Sequence, residues 1–246
     1  ILRNFKVFHV DEVYHNGEIE WQPLSLTLVE YPKGDWIGKW FALISLAPFG
    51  IGAGFVTLIL FRRDLHTIMF FLGTLINEGL NLVLKHSICE ARPMARGHLY
   101  TEYGMPSSHA QFIWFFCIYI TYFIVIRLHH INNNSLISAL WRVTIVASSM
   151  SLAVLVSVSR IYLHYHTTTQ VVAGALVGLT FATIWFTIVH RLFTPIFPHL
   201  VSLRICEILM IRDTTIIPNV LWFEYTAVRQ EVRMRTRKMA VLKPPQ

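Results

Sequence analysis

The sequence predicts an all-α protein, a bundle of five or six transmembrane helices joined by short loops. Apolar residues make up 54% of the 246 positions, whereas Asp, Glu, Lys and Arg together make up only 14%. A water-soluble domain carries roughly 25% charged residues. Too few charged side chains are therefore present to cover a water-facing surface, and a soluble enzyme or binding domain is excluded.

Five stretches are long and apolar enough to cross a membrane as helices. A helix needs about 20 mostly apolar residues to span roughly 30 Å of hydrocarbon. Glu78 interrupts the second stretch, and the other four contain no Asp, Glu, Lys or Arg. The predicted spans cover residues 40–61, 65–84, 110–126, 143–159 and 171–189.

Two later stretches, residues 196–211 and 214–228, are apolar but interrupted by prolines and charged residues. They predict either a sixth span with a polar face or helices that lie at the membrane surface. We expect three parts in the chain: an N-terminal segment over 1–35, a transmembrane domain over 36–228 and a basic tail over 229–246.

The distribution of charge predicts the orientation in the membrane. Basic residues gather in loops 62–64 and 127–142 and in the C-terminal tail, whereas the N-terminal segment is rich in Asp and Glu. Cytosolic segments of membrane proteins are enriched in Lys and Arg. We therefore expect a cytosolic C-terminus, with the N-terminal segment and loops 85–109 and 159–170 on the opposite, lumenal side. This topology accounts for the net charge of +7 without nucleic-acid binding.

Cations and histidines gather in the two predicted lumenal loops. One Lys or Arg at the end of a span is ordinarily a membrane-interface anchor. Several together, on the side that the charge rule leaves poor in Lys and Arg, instead favour an anion-binding site. The residues are Lys85, Arg92, His109, Arg160 and His166.

These residue types suit phosphoryl transfer. Arg offers a planar fork to phosphate oxygens, and Lys offers a point charge. Ser107 precedes the third span and is expected at its N-cap, where helix amides add to an anion site. One of two histidines can attack phosphorus while the other protonates the departing oxygen. No metal is predicted, because the only aspartates beyond the first span, Asp64 and Asp213, fall on the cytosolic side.

Three motifs follow one another in these loops. Six residues separate Lys85 from Arg92-Pro93, then comes Pro106-Ser107-Ser108-His109, and five residues separate Ser159-Arg160 from His166. This order resembles the three-part signature of the type 2 phosphatidic acid phosphatase superfamily, relatives of the vanadium haloperoxidases. Residues 29–32, 104–112, 209–214 and 217–226 are further similar to its dolichyl-diphosphatase branch.

The resemblance implies an endoplasmic reticulum enzyme that converts dolichyl diphosphate to dolichyl phosphate and inorganic phosphate, without a cofactor, on the lumenal side. That reaction recycles the lipid carrier of protein N-glycosylation, so the implied partners are a polyprenyl diphosphate and the bilayer. The resemblance further implies that His166 forms a phosphohistidine and that His109 protonates the leaving group. The implied phosphate-binding residues are Lys85, Arg92, Arg160, Ser107 and the Ser108 amide.

Two positions depart from the superfamily pattern. Ser108 stands where the superfamily has glycine, and Gln170 stands where most members have aspartate. Gln170 follows His166 by four residues and shares its helix face, so it can accept a hydrogen bond from the imidazole and set its tautomer. It cannot supply the negative charge that an aspartate would place beside an imidazolium.

Three questions stay open from the sequence. The same fold also suits a broad lipid phosphate phosphatase or a phosphotransferase. The loss of the aspartate also suits a non-catalytic, lipid-binding membrane scaffold. Inside the second span, Asn77, Glu78 and Asn81 form either a bundle-facing hydrogen-bond cluster or a substrate contact.

Overall fold

The computed structural model describes residues 21–23, 29–94, 103–127, 136–217 and 220–242. A short antiparallel pair of strands, β1 (Trp21–Pro23) and β2 (Glu30–Pro32), precedes a chain that is otherwise helical. The helices are α1 (Trp36–Ile44), α2 (Ala47–Arg62), α3 (Leu65–Ile88), α4 (Ser108–Tyr122), α5 (Leu136–Tyr162), α6 (Thr168–Ile188), α7 (Phe197–Val201), α8 (Arg204–Ile208) and α9 (Val220–Leu242). Residues 1–20 of the expected N-terminal segment lie outside the described residues.

The described residues contain five helical segments long and apolar enough to cross a membrane, so the predicted spans are confirmed. The first joins α1 and α2, and the last continues from α6 through a π turn and a 3₁₀ turn into α7. Neither α8 nor α9 is among them, so the described part of residues 196–228 adds no sixth span. The five segments are Trp36–Arg62, Leu65–Ile88, Ser108–Ile126, Ala139–Tyr162 and Thr168–Val201.

At one end of the bundle, hydrogen bonds tie the α3–α4 loop to the start of α6 and the N-terminal segment to the end of α5. Ser107 N–H donates to the Gln170 carbonyl at 3.1 Å. The Tyr162 hydroxyl donates to Asp35 at 2.8 Å. Because the helices alternate in direction, these loops share the end that the sequence assigns to the anion site.

Helix α6 packs closely on α4 through two glycines spaced four apart. A Cβ atom on Gly178 would lie 2.3 Å from the backbone oxygen of Gln111, and one on Gly174 would lie 2.6 Å from that of Ser107. Small residues at this spacing allow membrane helices to approach backbone to backbone. The contact fixes α4, which begins at Ser108, relative to α6, which begins just after His166.

A buried amide cluster joins α3 to α4. The Gln111 side chain donates to the Asn77 carbonyl at 2.8 Å and to its side-chain oxygen at 3.0 Å. Asn81 donates to Gln111 at 2.8 Å and to the Pro106 carbonyl at 3.3 Å. For Asn77 and Asn81 these bonds favour the bundle-facing cluster over a substrate contact.

Replacing Gly178 with alanine is expected to destabilise the protein by about 1–3 kcal/mol, because the added methyl group forces α4 and α6 apart. Thermal unfolding of detergent-purified protein measures the change. Gly79→Ala in α3 is the matched control, because a Cβ there meets no atom within 4 Å. Equal unfolding midpoints for the two variants would contradict the close packing.

The opposite end of the bundle is held by an ion-pair cluster. Glu224 of α9 lies 3.1 Å from Arg62 at the end of α2 and 3.0 Å from Arg212. From Tyr225 onward α9 is largely exposed, and it carries most of the basic tail. The helix runs continuously through residue 228, the expected boundary between membrane domain and tail.

Candidate active site

His166 lies in the turn between α5 and α6 and is only 2% exposed. Helix α5 ends at Tyr162, and the Arg160 carbonyl then accepts hydrogen bonds from the amides of Tyr165 at 3.1 Å and His166 at 3.2 Å. These bonds turn the chain back towards α6 and hold the imidazole beside the end of α5.

Burial is the main influence that lowers the pKa of His166 to about 3, followed by the positive charges of Arg160 and Arg92 and, more weakly, Lys85. The hydrogen bond to Gln170 acts in the opposite direction. His166 is therefore neutral at physiological pH. A neutral imidazole keeps a lone pair on one ring nitrogen, as a nucleophile requires.

Four hydrogen bonds fix the orientation of the Gln170 carboxamide. Its Oε1 accepts from the Thr167 amide at 3.2 Å and lies 3.2 Å from His166 Nδ1. Its Nε2 donates to Glu90 at 2.8 Å and to the Ala91 carbonyl at 2.8 Å. If the amide were flipped, the donor Nε2 would face the Thr167 N–H, which is also a donor. The atom that faces both Thr167 N–H and His166 Nδ1 is therefore the acceptor Oε1. His166 then carries its proton on Nδ1, and its Nε2 keeps the lone pair.

Arg160 is buried and packs over the ring of Tyr165, with its guanidinium carbon 4.1 Å from the ring centroid. The Tyr165 hydroxyl accepts a hydrogen bond from the Glu30 amide at 2.8 Å. The N-terminal segment thereby fixes the tyrosine on which the arginine rests. Stacking on an aromatic ring limits the positions open to the guanidinium.

Helix α4 begins at this site. Ser107 occupies the N-cap position as expected, but its side chain forms no capping hydrogen bond. Its Oγ is buried and has no hydrogen-bond partner among the described residues. The hydroxyl and the first amides of α4, including that of Ser108, are thus available to an anion.

His109 is half-buried in the first turn of α4, and its ring meets that of Phe49 edge-on at 6.2 Å. The fixed positive charges that act on its imidazole are those of Arg160, Lys85 and Arg92. The histidine of the second motif therefore lies within electrostatic reach of the residues of the first and third.

Lys85 and Arg92 come from the end of α3 and the loop after it. Cys89 ends the helix in the left-handed conformation, with φ of 54°, and its amide donates to the Lys85 carbonyl at 3.0 Å. The chain then turns towards the site, and both cations act on both imidazoles. The five predicted residues are thus brought together at one end of the bundle.

Three residues that the motifs do not single out also shape the site. Tyr165 supports Arg160, and Glu90 binds the Gln170 amide. Gly104 makes room for that amide, since a Cβ there would lie 2.7–2.9 Å from its atoms. The described residues contain no group of three or more His, Cys, Asp or Glu arranged to hold a metal ion.

The family model described as the PAP2 superfamily matches residues 66–194. The chain belongs to the PAP2 superfamily. This PAP2 protein is 48% identical to Dolichyldiphosphatase 1 of Mus musculus, over 89% of its own length and 93% of the relative's. It is 38% identical to Lipid phosphate phosphatase gamma of Arabidopsis thaliana, with 84% and 90% covered.

A crystal structure supports the fold independently. The transmembrane PAP2 type phosphatidylglycerolphosphate phosphatase of Bacillus subtilis superposes with a TM-score of 0.54 at 21% identity, covering 65% of this PAP2 chain and 80% of its own. The predicted family, the all-α membrane fold and the assignment as a phosphohydrolase are therefore confirmed.

The pKa of His166 predicts how the stability of this PAP2 protein depends on pH. As pH falls, the unfolded chain protonates His166 near 6.5, whereas the folded protein does so only near 3. Between these values the unfolded state binds more protons, so stability is lost as pH falls. His166→Gln removes this difference in pKa between the folded and unfolded states. From about pH 7 to about pH 5 its unfolding midpoint should therefore fall less than that of wild type.

Exposed His199 in α7 provides the control, and His199→Gln should follow the wild-type curve. Parallel curves for wild type and His166→Gln would show that the buried imidazole is not held neutral.

Proposed function

We propose that the protein hydrolyses dolichyl diphosphate to dolichyl phosphate and inorganic phosphate, through a phosphohistidine on His166. The observation that carries the proposal is the convergence of Lys85, Arg92 and Arg160 on a buried, neutral histidine. Relatives named Dolichyldiphosphatase 1 support the choice of substrate.

In the first step, His166 Nε2 attacks the terminal phosphorus of the diphosphate. The bond between that phosphorus and the bridging oxygen breaks, and His109 gives a proton to the departing dolichyl phosphate. The imidazole gains positive charge as the N–P bond forms, and Gln170 Oε1 keeps the hydrogen bond to Nδ1–H. Lys85, Arg92 and Arg160 balance the charge on the phosphoryl oxygens, with Ser107 and the Ser108 amide.

In the second step, water attacks the phosphohistidine. His109, now without its proton, accepts one from the water. The N–P bond breaks, inorganic phosphate leaves, and His166 returns to its neutral form. Each step needs only positioned cations, a nucleophile and a proton carrier, so the proposal requires no cofactor or metal.

The site is proposed to face the lumen of the endoplasmic reticulum, with the basic α9 in the cytosol. The opposite end of the bundle carries Arg62, Arg63 and Arg212 in addition to the α9 cations, which suits the cytosolic side. On this orientation the product would be a recycled carrier for protein N-glycosylation. We retain 1–35, 36–228 and 229–246 as the proposed lumenal segment, membrane domain and tail.

A second candidate is a broader lipid phosphate phosphatase of the same fold, which the name of the Arabidopsis relative favours. The two candidate enzymes differ in the bond that they break. In a lipid diphosphate this is an anhydride bond, and the leaving group is a phosphate ester. In a lipid monophosphate it is an ester bond, and the leaving group is an alcohol. A non-catalytic scaffold has less support, because the Gln170 contacts leave His166 in a nucleophilic tautomer.

A substrate panel tests the proposal. Phosphate release from purified protein should be fastest with dolichyl diphosphate, slower with dolichyl phosphate and phosphatidic acid, and unchanged by a chelator. In sealed microsomes the activity should appear only after permeabilisation. Equal rates on all three lipids would favour the broad phosphatase, and wild-type release no faster than His166→Ala would favour the scaffold.

A further inference from the structure

Glu90 lies between Lys85 and Arg92 in the sequence, but its carboxylate contacts neither motif histidine directly. Its Oε1 instead accepts a hydrogen bond from Gln170 Nε2 at 2.8 Å. Gln170 Oε1 lies 3.2 Å from His166 Nδ1. A carboxylate is thus joined to the imidazole through one intervening amide.

We infer that Glu90 is a positioning residue, which acts through Gln170 to stabilise His166 as it gains positive charge. The inference rests on the proposed function of His166 as the nucleophile. A carboxylate bound to the amide N–H draws it into a stronger hydrogen bond than a neutral acceptor does. The amide oxygen then becomes a better acceptor for Nδ1–H, because hydrogen bonds in a chain polarise one another.

The arrangement offsets the missing aspartate at position 170. An aspartate would put negative charge directly beside Nδ1, whereas here the charge sits one group further away, on Glu90. No proton leaves Glu90 or Gln170 in this scheme. Glu90 supplies a fixed charge, and Gln170 keeps its Nε2–H bonds to Glu90 and Ala91 throughout.

The surrounding backbone holds Glu90 in this position. The Glu90 carbonyl accepts a hydrogen bond from the Gly104 amide at 2.7 Å, and this bond joins the two ends of the α3–α4 loop. Gly104 also lies against the Gln170 carboxamide, where a Cβ would come within 2.7–2.9 Å of it. The amide therefore has little room to turn away from the carboxylate.

Glu90→Gln is the sharpest single test, because the new side chain can still accept the Gln170 hydrogen bond but carries no charge. We expect kcat to fall about tenfold, the difference between a charged and a neutral hydrogen bond. KM should stay within about threefold and the unfolding midpoint should be unchanged, because ground-state binding and fold are retained. Glu231→Gln, on exposed α9, is the control and should keep wild-type kcat.

The second test exchanges the two residues, so that glutamate stands at position 170 and glutamine at position 90. Gln170→Glu alone sets two carboxylates against each other and removes both amide donors, so it should be much less active than Glu90→Gln. Adding Glu90→Gln restores a donor between the two positions and should raise kcat at least about tenfold above Gln170→Glu.

The outcomes separate this inference from the proposed function. An active His166→Ala protein would overturn the proposed function and the role of Glu90 with it. An inactive His166→Ala together with Glu90→Gln within about twofold of wild type would overturn only the role of Glu90. So would a double variant no more active than Gln170→Glu, or a fall in unfolding midpoint large enough to explain the loss of activity.

Discussion

His166→Gln is expected to lower kcat by at least roughly 10³-fold, because it removes the only atom proposed to attack phosphorus. Glutamine is close to histidine in size, and its amide N–H can replace the bond from Nδ1 to Gln170. The fold should therefore be retained, and thermal unfolding at neutral pH checks this. Phosphate release from dolichyl diphosphate under saturating substrate measures the loss.

The control for this prediction is His199→Gln at the other end of the bundle, which should keep wild-type kcat. A His166→Gln protein that folds and retains more than about a tenth of the wild-type rate would exclude His166 as the nucleophile.

Arg160→Lys is expected to lower kcat/KM by about 10²-fold to 10³-fold, although the charge is retained. The guanidinium is proposed to bind two phosphoryl oxygens at once, and it packs over the Tyr165 ring, whose centroid lies 4.1 Å from the guanidinium carbon. A lysine ammonium is a point charge that neither forks nor stacks in this way. Steady-state kinetics on dolichyl diphosphate measures the effect.

Arg142→Lys tests whether the geometry at position 160 is responsible, because Arg142 lies in the same helix at its opposite end. We expect it to resemble wild type. An Arg160→Lys enzyme with wild-type kcat/KM would show that charge alone suffices there and would remove the reason for the Tyr165 support.

The helices and the convergence of the motifs could be predicted from the sequence. Long apolar stretches set the spans, and their alternating direction places the loops before α4 and α6 at one end. The break between α1 and α2 could not be predicted, because the residues there are as apolar as the rest of the first predicted span. Residues 214–228 looked apolar enough for part of a sixth span, but α9 continues into the basic tail and is too polar to cross.

The finer geometry of the site could not be predicted, because it depends on contacts between distant parts of the chain. Glu90 and Gln170 are 80 positions apart, and their hydrogen bond depends on how the α3–α4 loop folds. Tyr165 and Glu30 are 135 positions apart. One signal was present in the sequence: Gln170 stands where the superfamily that the motifs resemble mostly has aspartate, and Glu90 within the first motif is a carboxylate near the predicted site.

The central claim is that a bond forms between phosphorus and a ring nitrogen of His166. Trapping this phosphohistidine is the most direct test. Dolichyl diphosphate labelled at its terminal phosphorus would be mixed with the His109→Ala variant and quenched at high pH. The variant lacks the acid of the first step as well as the base of the second, but dolichyl phosphate can leave as an anion without a proton, whereas water attacks slowly without a base. We expect acid-labile label that is bound to the protein and that peptide mass spectrometry locates on His166. Label on another residue, or release of labelled phosphate at every time point with no protein-bound label, would contradict it.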